Sequence, residues 1–232
     1  FMQRAYDNVI HDVAIQDLPV VMCLDRGGLV GEDGVTHHGV FDMAAFGAVP
    51  GLTIAAPMNE PELRNMMYTA LGSGHPFMIR YPRGHGEGLP WRGEKFETLP
   101  VGRGRRLREG ADVALLTVGT VGNAAARAAG RAAAEGVSVA HYDLRFVKPL
   151  DEALLDEVGR KFRRVVTVED GSLRGGVGEA VAAFFNGRGY DVRVQRLGIG
   201  DEWVEHGTPG QLYALCGYDE EGILRALLDT RA

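Results

Sequence analysis

At 232 residues the chain has room for one large domain or two modest ones. Its composition, 45% hydrophobic and 24% charged, is that of a globular protein, and its net charge of −6 disfavours a nucleic-acid-binding surface, which usually carries a basic excess. No stretch approaches the roughly 18 consecutive apolar residues that a membrane span needs. Cys23 and Cys216 are isolated thiols, which favours a reduced, cytoplasmic setting.

The chain opens inside a helical pattern. Phe1, Ala5, Val9 and Val13 recur every four residues and form an apolar stripe on one face of a helix. Because a natural chain seldom begins in the middle of an element, we expect this to be the C-terminal portion of a longer protein. A sheet that lacks its first strands exposes an unpaired edge, so the isolated piece is expected to aggregate or to need its upstream part.

Residues 1–83 are predicted to alternate between strands and helices. Apolar runs predict strands at 19–24, 52–57 and 76–81. Helices are predicted at the start of the chain, at 41–46 and at 59–71. Asn59 is a candidate N-cap for the last of these, with Glu62 three residues later as in a capping box. Strands separated by helices indicate a parallel sheet covered on both faces.

A second α/β unit is predicted over 101–232, after a linker at 84–100 that is rich in glycine, proline and charge. Its strands are predicted at 112–118, 137–142, 164–168 and 191–196. Its helices are predicted at 122–134, 151–161, 177–186, 209–215 and 219–229. The first of these helices is rich in alanine, which suits close packing rather than chemistry.

The most informative segment is 25–39, with the sequence DRGGLVGEDGVTHHG. It lies between a predicted strand and a predicted helix. Five glycines in fifteen positions let the backbone approach a ligand closely. The segment also holds a permanent cation, anions and two imidazoles, and loops of this length inside a compact domain are usually functional. A plain glycine-rich surface loop is the alternative interpretation.

This segment resembles the DRAG(I/L)VG-DG-THxG motif of the 1-deoxy-D-xylulose-5-phosphate synthases, thiamine-diphosphate enzymes related to transketolase. Further motifs of that family follow in its order: FMQRAYD at 1–7 with HDVA at 11–14, RYPRG at 80–84, RFVKPLD at 145–151, VED at 168–170 and HG at 206–207. The resemblance covers essentially the whole chain. It is carried by several separate motifs rather than by one.

The resemblance implies the later part of a pyrimidine-binding α/β domain over 1–83 and a transketolase C-terminal-type α/β domain over 101–232, with mostly parallel sheets. It also implies a decarboxylative condensation of pyruvate with glyceraldehyde 3-phosphate. The implied cofactors are thiamine diphosphate and Mg²⁺, whose diphosphate- and metal-binding residues belong to the upstream part. A cytoplasmic homodimer is the implied assembly.

Three arginines are implied to bind substrate: Arg26 and Arg83 as a clamp on the phosphate of the aldehyde, and Arg4 near the substrate end of the site. A phosphate dianion is well matched by planar, permanently charged, multidentate donors. Arg83 follows a predicted strand, where loops of α/β sheets commonly meet ligands. Arg80 lies on the strand itself and is expected to face a buried acid. For each arginine the alternative is a surface ion pair of little energy.

Two residues of the loop are implied to be catalytic, His37 and Asp33. His37 is the candidate for proton transfer or hydrogen bonding at the developing alkoxide, and Asp33 for accepting from a sugar hydroxyl or orienting His37. Asp33 also suits a turn, since glycine follows it. His38 is expected to point away from His37 if the segment is extended, and to be structural. Phe1 is implied to pack on the aminopyrimidine ring, or else to be a core residue.

Other motifs are weaker. The Glu169–Gly178 segment lies between the end of a predicted strand and the start of a predicted helix, and it is rich in glycine. It has neither the G-x-G-x-x-G order of a dinucleotide-binding loop nor the lysine of a phosphate-binding loop, so we interpret it as structural. The remaining histidines and the cysteines show no metal-ligand spacing, so no metal ligands are assigned to this chain. Three alternatives stay open: a transketolase, a 2-oxo acid dehydrogenase β-type subunit, and a non-catalytic α/β assembly subunit.

Overall fold

The computed structural model of the chain describes residues 2–93 and 95–229. The strands of these residues are β1 Val21–Leu24, β2 Thr53–Ala55, β3 Phe77–Arg80, β4 Arg105–Arg108, β5 Val113–Val118, β6 Val139–Asp143, β7 Phe146–Lys148, β8 Arg164–Ser172 and β9 Arg193–Ile199. The helices are α1 Tyr6–Asn8, α2 Asp42–Gly47, α3 Glu60–Leu71, α4 Val121–Ala134, α5 Glu152–Lys161, α6 Val177–Gly187, α7 Pro209–Leu215 and α8 Glu220–Leu228. Helix α1 stands between a 3₁₀ turn, Met2–Ala5, and a π-helical turn, Val9–Ala14, so the predicted opening helix forms irregularly.

The first sheet has the order β1-β3-β2-β7. Strands β1 and β2 both pair with β3 in parallel, as expected for βα units. Strand β7 pairs antiparallel with β2, and its Phe146 is fully buried beside Phe77. The sequence predicts these three residues to belong to the second unit, between the strand at 137–142 and the helix at 151–161. Strand β7 was missed because so short a strand has no periodicity of its own and forms only through its distant partner.

The second sheet has the order β4-β6-β5-β8-β9 and is parallel except for β4, which runs antiparallel to β6. Strand β5 is buried along its whole length, which explains its continuous apolar sequence. Strand β4 was not predicted, because RRLR has neither an apolar run nor β-branched residues. The predicted fold class, two α/β units with mostly parallel sheets, is confirmed.

Helix α4 packs closely through small side chains, as its sequence predicts. Its inward face, completely buried, consists of Ala125, Ala128, Ala129 and Ala132. These side chains lie in one core cluster with Ile223 and Leu227 of helix α8. Alanine on this face lets the backbones of the two helices and the sheet approach one another without loss of helix propensity.

A buried ion cluster joins helix α3 to the second half of the chain. The Asn59 side chain caps α3 by accepting from the Glu62 N–H at 3.1 Å, as predicted. The Glu62 carboxylate, expected in a capping box, instead accepts from Arg105 at 2.8 Å and from Arg145 at 2.8 and 2.9 Å. Two guanidinium groups outcompete one backbone N–H because charge-assisted hydrogen bonds are about twice as strong.

The segment 84–100 has no regular structure among its described residues and runs along α3. Arg64 of that helix donates to the carbonyls of Trp91 and Lys95, at 2.5 and 2.8 Å. Thr69 accepts from the Leu99 N–H at 2.8 Å. Across the described part of the chain, every helix is too short or too polar to traverse a bilayer.

Candidate active site

The loop 25–39 starts where strand β1 ends, beside the end of β3. The Gly27 N–H donates to the Tyr81 carbonyl at 2.9 Å, and the Tyr81 N–H donates to the Leu24 carbonyl at 2.9 Å. Arg26 and Arg83 therefore emerge from adjacent strand ends, at the carboxyl edge of the first sheet. This edge is where open α/β sheets bind their ligands.

The loop is closed at its base by a pair of glycines. The Gly28 N–H donates to the Gly39 carbonyl at 2.8 Å, and the reverse hydrogen bond is 2.9 Å long. A Cβ atom on Gly39 would lie 2.1 Å from the Arg26 carbonyl, so only glycine fits there. Arg26 itself has a φ of +60°, a strained value for a residue with a side chain. The base of the loop is thus tightly constrained around Arg26.

A cavity of about 370 Å³ opens beside this loop. Met22, Leu24 and Phe41 supply apolar wall, and Arg26 and His37 supply polar groups. This combination of an apolar slot with a few convergent polar groups is typical of small-molecule sites. The cavity contains two of the residues that the sequence singled out.

The two adjacent histidines have different environments. His38 is 8% exposed, accepts from the Val30 N–H at Nδ1 (3.1 Å) and donates from Nε2 to the Val204 carbonyl (3.1 Å), so both ring nitrogens are used in holding the loop. His37 is half-buried at the cavity wall, with Nδ1 2.9 Å from the Thr36 hydroxyl. The segment is not extended, because a 3₁₀ turn, Gly34–Thr36, precedes His37, and both histidines are among the residues that line the cavity.

Each candidate phosphate-binding arginine faces a carboxylate. Arg83 forms an ion pair with Asp33, and both side chains are partly exposed. Arg26 pairs with Asp25 at 2.6 Å, and its Nε is buried with no hydrogen-bond partner among the described residues. The Asp33 carboxylate thus orients an arginine, a contact that the sequence interpretation did not include. Both guanidinium groups retain exposed surface for an incoming anion.

Two of the sequence candidates lie on or before the opening helical segment. Arg4 is exposed in the 3₁₀ turn Met2–Ala5, whose Met2 and Gln3 line the cavity. Arg4 is thus placed next to the cavity rather than in its wall. Phe1, the candidate for the aminopyrimidine contact, lies outside the described residues.

Behind the loop lies a buried group of charges that only the structure reveals in full. Arg80, 4% exposed, donates from Nε to Asp42 at 2.7 Å, which agrees with the expectation that it faces a buried acid. It also donates to the carbonyls of Gly39 and Asp170, at 3.2 and 2.9 Å. A buried arginine on a strand signals that an acid must be near, but the sequence cannot say which one.

The glycine-rich segment after β8 binds its own carboxylate. Glu169, 1% exposed, accepts from the N–H groups of Val177 and Gly178, both at 2.8 Å, at the start of helix α6. A Cβ on Gly178 would lie 2.5 Å from the Thr167 hydroxyl, which explains the glycine. These N–H groups are therefore taken by the protein, and this supports the structural interpretation of the segment.

Burial raises the pKa of Glu169 to about 7, although its two N–H donors pull the pKa down. The unfolded chain ionises nearer 4.5, so the stability that this group contributes is present below that pH and is lost as the pH rises through 7. From about pH 5 to about pH 8 the protein is expected to lose on the order of 3 kcal/mol relative to a Glu169→Gln variant.

Denaturant unfolding of the unsubstituted protein and of Glu169→Gln at several pH values measures the difference in their free energies of unfolding. The variant Glu179→Gln, at an exposed position of helix α6, controls for the loss of a carboxylate. A difference between Glu169→Gln and the unsubstituted protein that stays constant with pH would contradict the expectation.

Within the described residues, no three His, Cys, Asp or Glu side chains are grouped as metal ligands would be.

The architecture and the loop site together define an α/β protein of the transketolase type. Residues 1–87 match the model of the transketolase pyrimidine-binding domain, and residues 102–223 match that of the transketolase C-terminal domain. The chain belongs to the transketolase family.

Among curated relatives, the chain is 59% identical over its whole length to the 1-deoxy-D-xylulose-5-phosphate synthase of Bacteroides fragilis and covers 36% of that protein. It is 48% identical to the enzyme of the same name from Symbiobacterium thermophilum, over 96% of the chain and 34% of the relative. The chain thus spans about a third of the length of these relatives. Its resemblance to these synthases extends over essentially all of its sequence.

A solved structure described as a split-gene transketolase, inactive β4 tetramer, superimposes with a TM-score of 0.83. It is 27% identical, and the match covers 97% of this chain and 70% of that one. The fold seen here is thus that of a transketolase-type protein.

Proposed function

We propose that this chain is the C-terminal part of a 1-deoxy-D-xylulose-5-phosphate synthase, which joins pyruvate to glyceraldehyde 3-phosphate with loss of CO₂. The observation that carries the proposal is the placement of Arg26 and His37 in the wall of one cavity, with Arg83 at the adjacent strand end, paired with Asp33 of the same loop. Two arginines at adjacent strand ends suit the phosphate of the acceptor. The high identity to synthases of that name, against 27% to the split transketolase, favours this substrate pair.

The cavity fits the ring portion of thiamine diphosphate. Its apolar walls, Met22, Leu24 and Phe41, suit a flat heteroaromatic ring, and its volume of about 370 Å³ leaves room for a small substrate beside the ring. When bound, the cofactor would supply the nucleophilic carbon that the protein side chains lack. Residues for its diphosphate and for Mg²⁺ belong, in this proposal, to the upstream part of the same protein.

The residues of this chain then have separate tasks. Arg26 and Arg83 bind the phosphate of the aldehyde, and Asp33 holds the Arg83 guanidinium towards the loop. His37 holds or donates a proton at the aldehyde oxygen as that oxygen becomes a hydroxyl. Arg4, next to the cavity, adds positive charge near the substrate end of the site. These tasks need fixed geometry, which the hydrogen-bonded base of the loop supports.

The first test uses the full-length gene product with thiamine diphosphate and Mg²⁺. CO₂ release from pyruvate is followed with and without glyceraldehyde 3-phosphate. Release that depends on the aldehyde, with 1-deoxy-D-xylulose 5-phosphate as product, is the expected result. Exchange of two-carbon units between ketose and aldose phosphates without CO₂ release would instead make the protein a transketolase. Inactivity in both assays would leave a non-catalytic subunit.

The assembly is proposed to be a cytoplasmic homodimer. Both cysteines, Cys23 and Cys216, are free thiols in the structure, as suits a reducing compartment. Light scattering of the full-length protein measures the assembly directly, and a monomer with full activity would refute the dimer.

A further inference from the structure

We propose that Arg80 and Asp170 are positioning residues for the reaction proposed above: from the two units of the fold they hold both ends of the loop 25–39 and so set the places of Arg26 and His37. The inference rests on the proposed function for its kinetic consequence. Its structural content, the anchoring of the loop, stands apart from the identity of the substrates.

Asp170 holds the first half of the loop, at Leu29. It lies on strand β8, is 4% exposed, and accepts the Leu29 N–H at 3.0 Å. Two hydroxyls hold the carboxylate in place: Tyr218 donates to Oδ1 at 2.7 Å and Tyr213 approaches Oδ2 at 3.3 Å. A Cβ on Gly28 would lie 1.9 Å from Asp170 Oδ2, so the loop backbone lies directly against this carboxylate.

Arg80 holds the last residue of the loop, Gly39. Its guanidinium reaches three oxygens at once: the Asp42 carboxylate at 2.7 Å, the Gly39 carbonyl at 3.2 Å and the Asp170 carbonyl at 2.9 Å. The planar fork of arginine permits this, whereas a lysine ammonium on a flexible stem does not reproduce the set of directions. Arg80 therefore links the end of the loop to the strand that anchors its beginning.

Leu29 and Gly39, the two anchored positions of the loop, enclose candidate catalytic side chains. Asp33, His37 and His38 all fall between Leu29 and Gly39, and Arg26 lies just before the first anchor. Since Gly28 and Gly39 also bond to each other, a displaced base carries the whole loop with it. A misplacement of about 1 Å at reacting groups costs roughly 100-fold in rate, so the anchors affect catalysis without touching substrate.

A purely structural role for these buried groups predicts a different outcome from a positioning role. Arg145, which bonds Glu62 at 2.8 and 2.9 Å, is also a largely buried arginine that links the two halves of the chain, but Glu62 lies outside the loop. If burial alone matters, Arg80→Lys and Arg145→Lys should lower the melting temperature and leave kcat unchanged. If positioning matters, only Arg80→Lys lowers kcat.

The experiment compares these variants in the full-length, cofactor-loaded protein. Arg80→Lys is expected to lower kcat roughly 100-fold, with Arg145→Lys within about two-fold of the unsubstituted protein. Should Arg80→Lys fail to fold, Tyr213→Phe/Tyr218→Phe takes its place, with Tyr190→Phe, whose hydroxyl donates to Asp156 at 2.9 Å, as the control. That double variant is expected to lower kcat about ten-fold, because Asp170 is less firmly held.

Hydrogen–deuterium exchange of the peptide covering the loop gives a second readout that needs no substrate. Faster exchange in the loop, with unchanged exchange in helix α4, is expected for Arg80→Lys and for the double tyrosine variant. Normal loop exchange or unchanged kcat in an active enzyme would overturn the inference while leaving the proposed function intact. If the unsubstituted protein has no synthase activity but loop exchange responds as expected, the proposed function fails and the anchoring stands.

Discussion

Replacing Arg83 with alanine is expected to raise the KM for glyceraldehyde 3-phosphate about 50-fold, the loss that follows from removing a charge-assisted hydrogen bond to a phosphate. The KM for pyruvate should stay nearly unchanged, since pyruvate carries no phosphate. Steady-state kinetics of the full-length protein, with each substrate varied in turn, measures both values. Arg83→Lys should give an intermediate loss, because lysine retains the charge but not the two-pronged geometry.

An acceptor without phosphate makes this test specific. With D-glyceraldehyde in place of its 3-phosphate, the unsubstituted enzyme should lose at least as much affinity, because the contacts of both arginines are lost, and Arg83→Ala should cause little further loss. Arg188→Ala is the matched control, because Arg188 is also a half-exposed arginine in an ion pair, with Glu152 at 2.8 Å, on the second unit. A variant that weakens both acceptors equally would show that Arg83 acts on the loop through Asp33 rather than on phosphate.

Much of the fold was predictable from sequence because local pattern and tertiary structure agree. Strand β5 is a continuous apolar run, and α4 carries alanine on its buried face. The two missed strands, β4 and β7, have no such pattern. Arginines that pair with acids stabilise β4, and β7 depends on Phe146 packing against residues far away in sequence. Both are held by contacts that a linear window does not contain.

The site shows the same division between what is local and what is distant. The loop motif identified Arg26, His37 and Asp33, and the structure brings the first two to one cavity. The contacts that anchor the loop could not be predicted from the sequence, because Leu29 and Asp170 are separated by 141 positions, and Arg80 and Asp170 by 90. A motif records which side chains a ligand requires. It does not record the buried groups that hold those side chains in place.

The neighbouring histidines provide the second large effect. His37→Ala is expected to lower kcat by roughly 100- to 10,000-fold, the usual loss when a group that transfers a proton is removed. Its melting temperature should change little, because His37 is half-buried at the cavity wall. His75→Ala, which removes a histidine exposed beside Asp17 on the protein surface, is the control for kcat.

His38→Ala, unlike His37→Ala, should lower the stability of the folded protein. Its removal leaves the Val30 N–H and the Val204 carbonyl without their imidazole partner in a buried place, which costs about 1–3 kcal/mol each. Thermal unfolding and kinetics of both variants therefore separate the two roles: a large loss of kcat at normal stability for His37, and a large loss of stability for His38.

If His37→Gln, which retains a hydrogen-bond donor but does not titrate near neutrality, keeps most of the kcat, then His37 acts by hydrogen bonding rather than by proton transfer. If His37→Ala keeps full kcat, the proton comes from another group, and the assignment of His37 fails while the phosphate clamp is unaffected.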